Sequence, residues 1–311
     1  MLAARRRWLL PLAVGLLALA SLAFAAAATS ADARTLVSAR PDLRWNRLAA
    51  ALALVALNHW AQAGVWHLLT RDLVGDGGWL RDVLRFSVSA LTRNLPGAFY
   101  WSTASRLLLY RPDGAASGAA LAVGVELAIQ LCTGAGLALA LLVWPWGLLP
   151  GAVLVAAPIL PPARRGLSRV GASVVRRLGR GTLAERVAAL ARLPSGTILA
   201  MTVTYVAVWL VGGLYLECLG TAIGASLPAR PLLYGTWVAA SVAGILGSVA
   251  LGGLGFLREF ALAGALSSTA GMVTAGLLSV AARLVLILGT WLCGLATAAA
   301  CQLLLRQRGE T

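Results

Sequence analysis

Six charged residues stand inside stretches that are otherwise apolar: Arg93, Arg106, Glu126, Arg258, Glu259 and Arg283. A guanidinium presents a planar fork that grips a phosphate through two parallel hydrogen bonds, and a carboxylate beside it neutralises the empty site or holds an amine. The chemistry these types suit is therefore anion binding away from water. Two breaks in the chain accompany them. In Leu251-Gly-Gly-Leu-Gly-Phe-Leu-Arg-Glu259, the residues Gly252, Gly253 and Gly255 each weaken a helix by about 1 kcal/mol relative to alanine. Arg258 and Glu259 then fall in the first turn of the next apolar segment, where free amides and the positive helix end converge with the guanidinium. The plainer alternative is a kink in which Arg258 and Glu259 pair with neighbours. Pro96 and Gly97 make the second break, just after Arg93, because proline suits a helix start and clashes in a helix interior. Glu126 lies about 15 Å into its segment, where a carboxylate costs roughly 2.5 to 3.5 kcal/mol without a partner or a water-filled cavity.

Covalent catalysis finds little to work with. The two histidines, His59 and His67, share one segment, no Ser/His/Asp arrangement is in view, and there is no P-loop. Cys132, Cys218, Cys293 and Cys301 sit in apolar runs without CxxC spacing, so they read as small core residues and no metal or cofactor is expected. Asn58, His59 and Gln62 form a polar stripe, read as hydrogen bonding between helices, with a proton relay as the alternative.

The elements that must hold these groups are membrane helices. Of the 311 residues, 59% are hydrophobic and 12% charged, and the apolar runs come in pieces of about 20 residues, enough to cross the hydrocarbon as a helix. The expected fold is an all-α polytopic transmembrane bundle in the cell membrane. The net charge of +15 comes from 26 arginines and no lysine, gathered in short loops. Such clusters face the cytoplasm and its anionic lipid. Nucleic acid is not expected as a partner, since no soluble basic domain exists to carry it.

In chain order, residues 1–29 carry Arg5-Arg6-Arg7 and an apolar run from Trp8 to Ala28, whose length favours a retained helix over a signal peptide. Residues 30–163 form a first half with a span over Trp45 to Leu69, a broken hairpin over 83–110, a span from Ser117 to Val143 and a short proline-bounded span over Gly147 to Leu160. Residues 164–192 hold eight arginines against one acid, Glu185. This segment is expected to lie on anionic lipid as an interfacial helix or to act simply as a cytoplasmic anchor, with Leu167, Val170, Val174 and Leu178 on one face. Residues 193–311 form a second half with a span over Thr197 to Leu219, a broken hairpin over 232–268 and a last span from Gly271 to Leu305. Both termini are then cytoplasmic. Each half has a re-entrant hairpin followed by a long span with one buried charge, Glu126 or Arg283, and the hairpins enter from opposite faces. That plan resembles the inverted repeats of transporters.

Arg93-Asn-Leu-Pro-Gly97, Arg106 and Glu126, with Gly252-Gly-Leu-Gly255, Arg258-Glu259 and Arg283, resemble the lysylphosphatidylglycerol synthase transmembrane region, a flippase-like membrane family. The resemblance covers roughly Trp45 to Leu295. Leu251 replaces the proline common before the paired glycines, and Phe256-Leu257 adds a residue that turns Arg258 by about 100° if helical. What the resemblance implies is movement of a modified or anionic lipid between leaflets, with a membrane lipid as cargo. No soluble aminoacyl-transfer domain fits in the chain, so synthase activity is not expected. The alternative is a non-catalytic scaffold or accessory subunit for a separately encoded lipid-modifying enzyme or glycosyltransferase.

Overall fold

The computed structural model describes residues 43–75, 77–92, 98–177, 191, 193–250 and 257–309. The expected helix over Trp8 to Ala28, and Arg93, Pro96, Gly97, Gly252, Gly253 and Gly255, lie outside the described residues. Among those described, ten helices and no strand occur: α1 (Trp45–Leu73), α2 (Trp79–Thr92), α3 (Ala98–Tyr110), α4 (Ala116–Leu142), α5 (Leu148–Ala156), α6 (Pro161–Arg177), α7 (Ser195–Ala222), α8 (Arg230–Ala250), α9 (Leu257–Ala270) and α10 (Met272–Gln307). Five of them, α1, α4, α7, α8 and α10, are long and apolar enough to cross a membrane. A helix satisfies its own backbone, which is what hydrocarbon demands of a spanning segment. Leu288, Leu292 and Leu295 on α10 recur at helical spacing and are more than half exposed, as a lipid-facing stripe should be. The chain is a multi-pass, all-α membrane protein.

Side-chain contacts fix how the helices run. Arg44 N donates to Ala222 O at 3.1 Å, and Thr197 Oγ1 donates to Asp72 Oδ2 at 2.6 Å, so α1 and α7 are antiparallel. Trp209 Nε1 donates to Thr133 Oγ1 at 3.1 Å and Tyr205 OH to Glu126 Oε1 at 2.6 Å, which makes α4 and α7 parallel. Gly235 packs on Leu142 and Gly134 on Val242, so α8 runs against α4. One end of the bundle therefore carries residues 45, 142, 222 and 230, and the other carries 73, 79, 116 and 195.

The first hairpin is α2 with α3. Thr92 meets Ser105 at 3.1 Å, Arg106 Nε donates to Ser89 Oγ at 3.2 Å, and Tyr110 OH donates to Asp82 Oδ1 at 2.6 Å. Partners fall along α2 as they rise along α3, so the two short helices are antiparallel. Asp82 pins the base of this hairpin, since it is buried and also accepts from His67 Nδ1 at 2.8 Å and Thr70 Oγ1 at 3.0 Å on α1. At its other end α2 reaches only mid-bundle: His59 Nε2 meets Ser87 Oγ at 3.1 Å, and Trp291 Nε1 donates to Leu91 O at 3.0 Å.

The second hairpin is α8 with α9, starting from the opposite end. A Cβ on Gly244 would sit 2.8 Å from Arg258 Cβ, and one on Gly247 would sit 2.0 Å from Leu257 Cδ1, so bare backbone lets the two arms close. Its arms are unequal, 21 residues against 14. Although α8 is long enough to span, it begins beyond the end of α4. The register set by Gly134 and Val242 brings Ser248 level with about residue 128 of α4, roughly 18 Å short of Ala116.

The span expected over Gly147 to Leu160 requires correction. It is a nine-residue helix, α5, then a turn through Pro158, then α6 starting at Pro161. Pro158 has no N–H to continue the ladder and clashes with the preceding turn, whereas Pro161 suits a first helical position. Of the expected interfacial segment, α6 forms a helix with Val170 largely exposed, and Leu178 falls outside the described residues.

Candidate functional site

A cavity of about 290 Å³ opens between the two hairpins, walled by α1, α2, α3, α4, α7, α8, α9 and α10. Arg106, Glu126, Arg258 and Arg283 all line it, so four of the sequence-derived site residues meet in one place. Asn58, His59, Gln62, Gln130 and Ser241 supply further polar wall.

On the first-hairpin side the charges are closed off. Arg106 Nη1 donates to Glu126 Oε2 in a short contact, Arg106 Nε is taken by Ser89, and Glu126 Oε1 accepts from Tyr205. The guanidinium lies 4.2 Å from the Trp66 ring centroid and 4.9 Å from that of Phe86, within reach of a favourable contact with each ring. The side chains of the pair are 7% and 6% exposed, and each is already bonded to partners inside the protein. Low dielectric strengthens such a pair and also makes it costly to break.

The second-hairpin side is different. Glu259 is shared by two arginines: Arg258 Nη2 donates to its Oε1 at 2.6 Å and Arg258 Nε at 3.1 Å, while Arg283 Nη1 lies 3.0 Å from Oε2. That last contact is a close ion pair whose direction falls short of a hydrogen bond, leaving Oε2 buried without one. The fixed charges sum to one net positive. Arg258 also sits 5.5 Å from the Trp237 ring centroid, and Ser279 Oγ donates to Glu259 O at 2.8 Å, tying α9 to α10.

Glu126 and Arg283 are the one buried charge in the long span of each half. They share the cavity, but each pairs within its own hairpin region, Glu126 with Arg106 and Arg283 with Glu259. The polar stripe on α1 divides as well. His59 reaches across to Ser87 on α2, whereas Gln62 Nε2 donates to Asn58 Oδ1 at 3.3 Å along its own helix. Tyr205, Trp66, Phe86, Trp237 and Ser241 were not anticipated. For the last two a signal existed: Trp237, Ser241, Gly244 and Ser248 recur at helical spacing on α8 and all face the cavity. No protein-family model, curated protein or solved structure matches the chain.

Proposed function

We propose that the protein moves a lipid between the leaflets of the cell membrane, the polar headgroup passing through the central cavity while the acyl chains stay in hydrocarbon. The observation that carries this reading is one charged cavity at mid-bundle, walled by two short hairpins that start from opposite ends. Discontinuous helices meeting near the midplane are how transporters expose a polar site in turn to each side. The motif resemblance to the flippase-like family points the same way. The Arg-bearing helix α6, whose Arg164 reaches Ser195 at the end of the bundle that also carries Asp72, would face the cytoplasm and its anionic lipid. No bond is made or broken in the cycle, and no cofactor takes part.

Leaflet exchange in reconstituted vesicles tests the proposal. Vesicles holding the full chain should exchange a labelled phospholipid, and Arg258→Gln should reduce that exchange by about tenfold or more, since it removes a charge-assisted contact. Exchange at the rate of empty vesicles for every phospholipid, glycolipid and polyprenyl-linked lipid tried would overturn it. The second reading, an accessory subunit for a lipid-modifying enzyme or glycosyltransferase, draws on the closed Arg106–Glu126 pair, in which buried charge serves structure. It is the reading that such inert vesicles would favour.

A further inference from the structure

On the cavity wall, the Arg258 guanidinium is oriented and keeps one edge open. Glu259 clamps Arg258 along its Nε–Nη2 edge, while Nη1 has no partner among the described residues. The side chain keeps 26% of its surface exposed where it lines the cavity, against 7% for Arg106. Trp237 lies near the guanidinium, and the bare backbone of Gly244 lets α8 close on its Cβ. The result is a cavity-lining arginine held by one edge and open at the other, which suits two oxygens of a phosphate.

Charge counting narrows what those oxygens belong to. The Arg106–Glu126 pair is neutral, and the Arg258, Glu259 and Arg283 group carries one net positive charge. Among the described residues that line the cavity, the only other ionisable side chains are those of His59 and Tyr205. A ligand with a single negative charge neutralises this group. A zwitterion leaves the charge uncompensated, a doubly charged phosphomonoester reverses it, and a cation adds to it, each unfavourable at low dielectric.

A second, independent feature lines the same cavity. Ser241 is only 8% exposed, and its Oγ has no hydrogen-bond partner among the described residues. It stands one turn from Gly244 on the cavity-facing side of α8. Buried hydroxyls are seldom left unpaired, and this one lines the same cavity as Arg258.

We propose that the site accepts a phosphodiester headgroup of single net negative charge, gripped by the open edge of Arg258 and completed by the Ser241 hydroxyl. The inference rests on the translocation reading for its source of ligand, and binding separates the two. Calorimetry on the purified full chain in uncharged detergent would compare dihexanoyl lipids bearing phosphoglycerol, phosphocholine or a phosphate monoester, together with inorganic phosphate. The phosphoglycerol lipid should bind about tenfold more tightly than the other three, the balance of charge at this group being worth about that much. Arg258→Gln should erase the preference with the unfolding temperature retained, and Ser241→Ala should weaken phosphoglycerol binding several-fold. Equal binding of the phosphocholine lipid, or a preference that survives Arg258→Gln, overturns the assignment. Inorganic phosphate binding as tightly as the lipid overturns it in favour of a free-anion site. Leaflet exchange without headgroup preference removes this inference and leaves translocation standing. Selective binding in vesicles that exchange nothing does the reverse.

Discussion

Arg106 and Arg258 are the same residue type on the same cavity, and their neighbours give them opposite roles. Arg106 packs against the Trp66 and Phe86 rings and is bonded to Ser89 and Glu126, so its contribution is to hold α2, α3 and α4 together. Glu126→Ala would leave that guanidinium buried and unpaired, and should lower stability by about 3 to 5 kcal/mol in detergent unfolding. The double change Arg106→Met with Glu126→Leu removes both charges at similar volume and should recover most of the loss. A double variant no more stable than Glu126→Ala alone would show that the pair acts through something other than its charges. The sequence marked both residues because charge in an apolar run is expensive, but it did not show who pairs with whom. Depth along a helix follows from 1.5 Å per residue. The angle around the bundle does not, and that angle separates Glu126 from Arg283.

At the scale of elements, the hairpins were legible because they are marked by chemistry: Pro96 lacks an N–H, and the glycines from 252 to 255 disfavour helix. The described arms end close to those marks, at Thr92 and Ala98 and at Ala250 and Leu257. The inequality of the second hairpin was harder to see, since apolar periodicity runs evenly along α8 and nothing local says where it stops relative to α4. Its packing depends on Gly244. An added methyl there meets Arg258 Cβ, which is fixed to backbone and cannot swing aside. Gly244→Ala should therefore push α9 from α8 at a cost of about 1 to 3 kcal/mol and reduce leaflet exchange along with stability. An alanine variant with unchanged unfolding and exchange would mean that the arms are looser than their contact distances indicate. The broken crossing at α5 shows the same limit from the other side. Pro158 and Pro161 were visible as ends of a span, yet whether they bounded one helix or divided two depended on the turn between them.

For the whole molecule, the two hairpins place a charged chamber about midway between the ends of a bundle whose outer helices are continuous. The membrane class was plain from composition, because a chain this apolar has little alternative to hydrocarbon. A polar cavity between the hairpins was expected from their buried charges, but not its walls, since it exists only where eight helices converge. A singly negative cargo moving through it transports electric charge from one side to the other. An interior-negative voltage drives such a cargo outward by about 2.3 kcal/mol per 100 mV, with the Arg-rich end taken as cytoplasmic. In vesicles carrying an imposed potassium diffusion potential, net export of the phosphoglycerol lipid should change sign with the sign of the voltage, while an empty carrier returning with its surplus positive charge would cancel none of the lipid's own asymmetry. The membrane potential itself would then be the energy source, and the resting voltage of the cell would set the ratio of that lipid between its two leaflets.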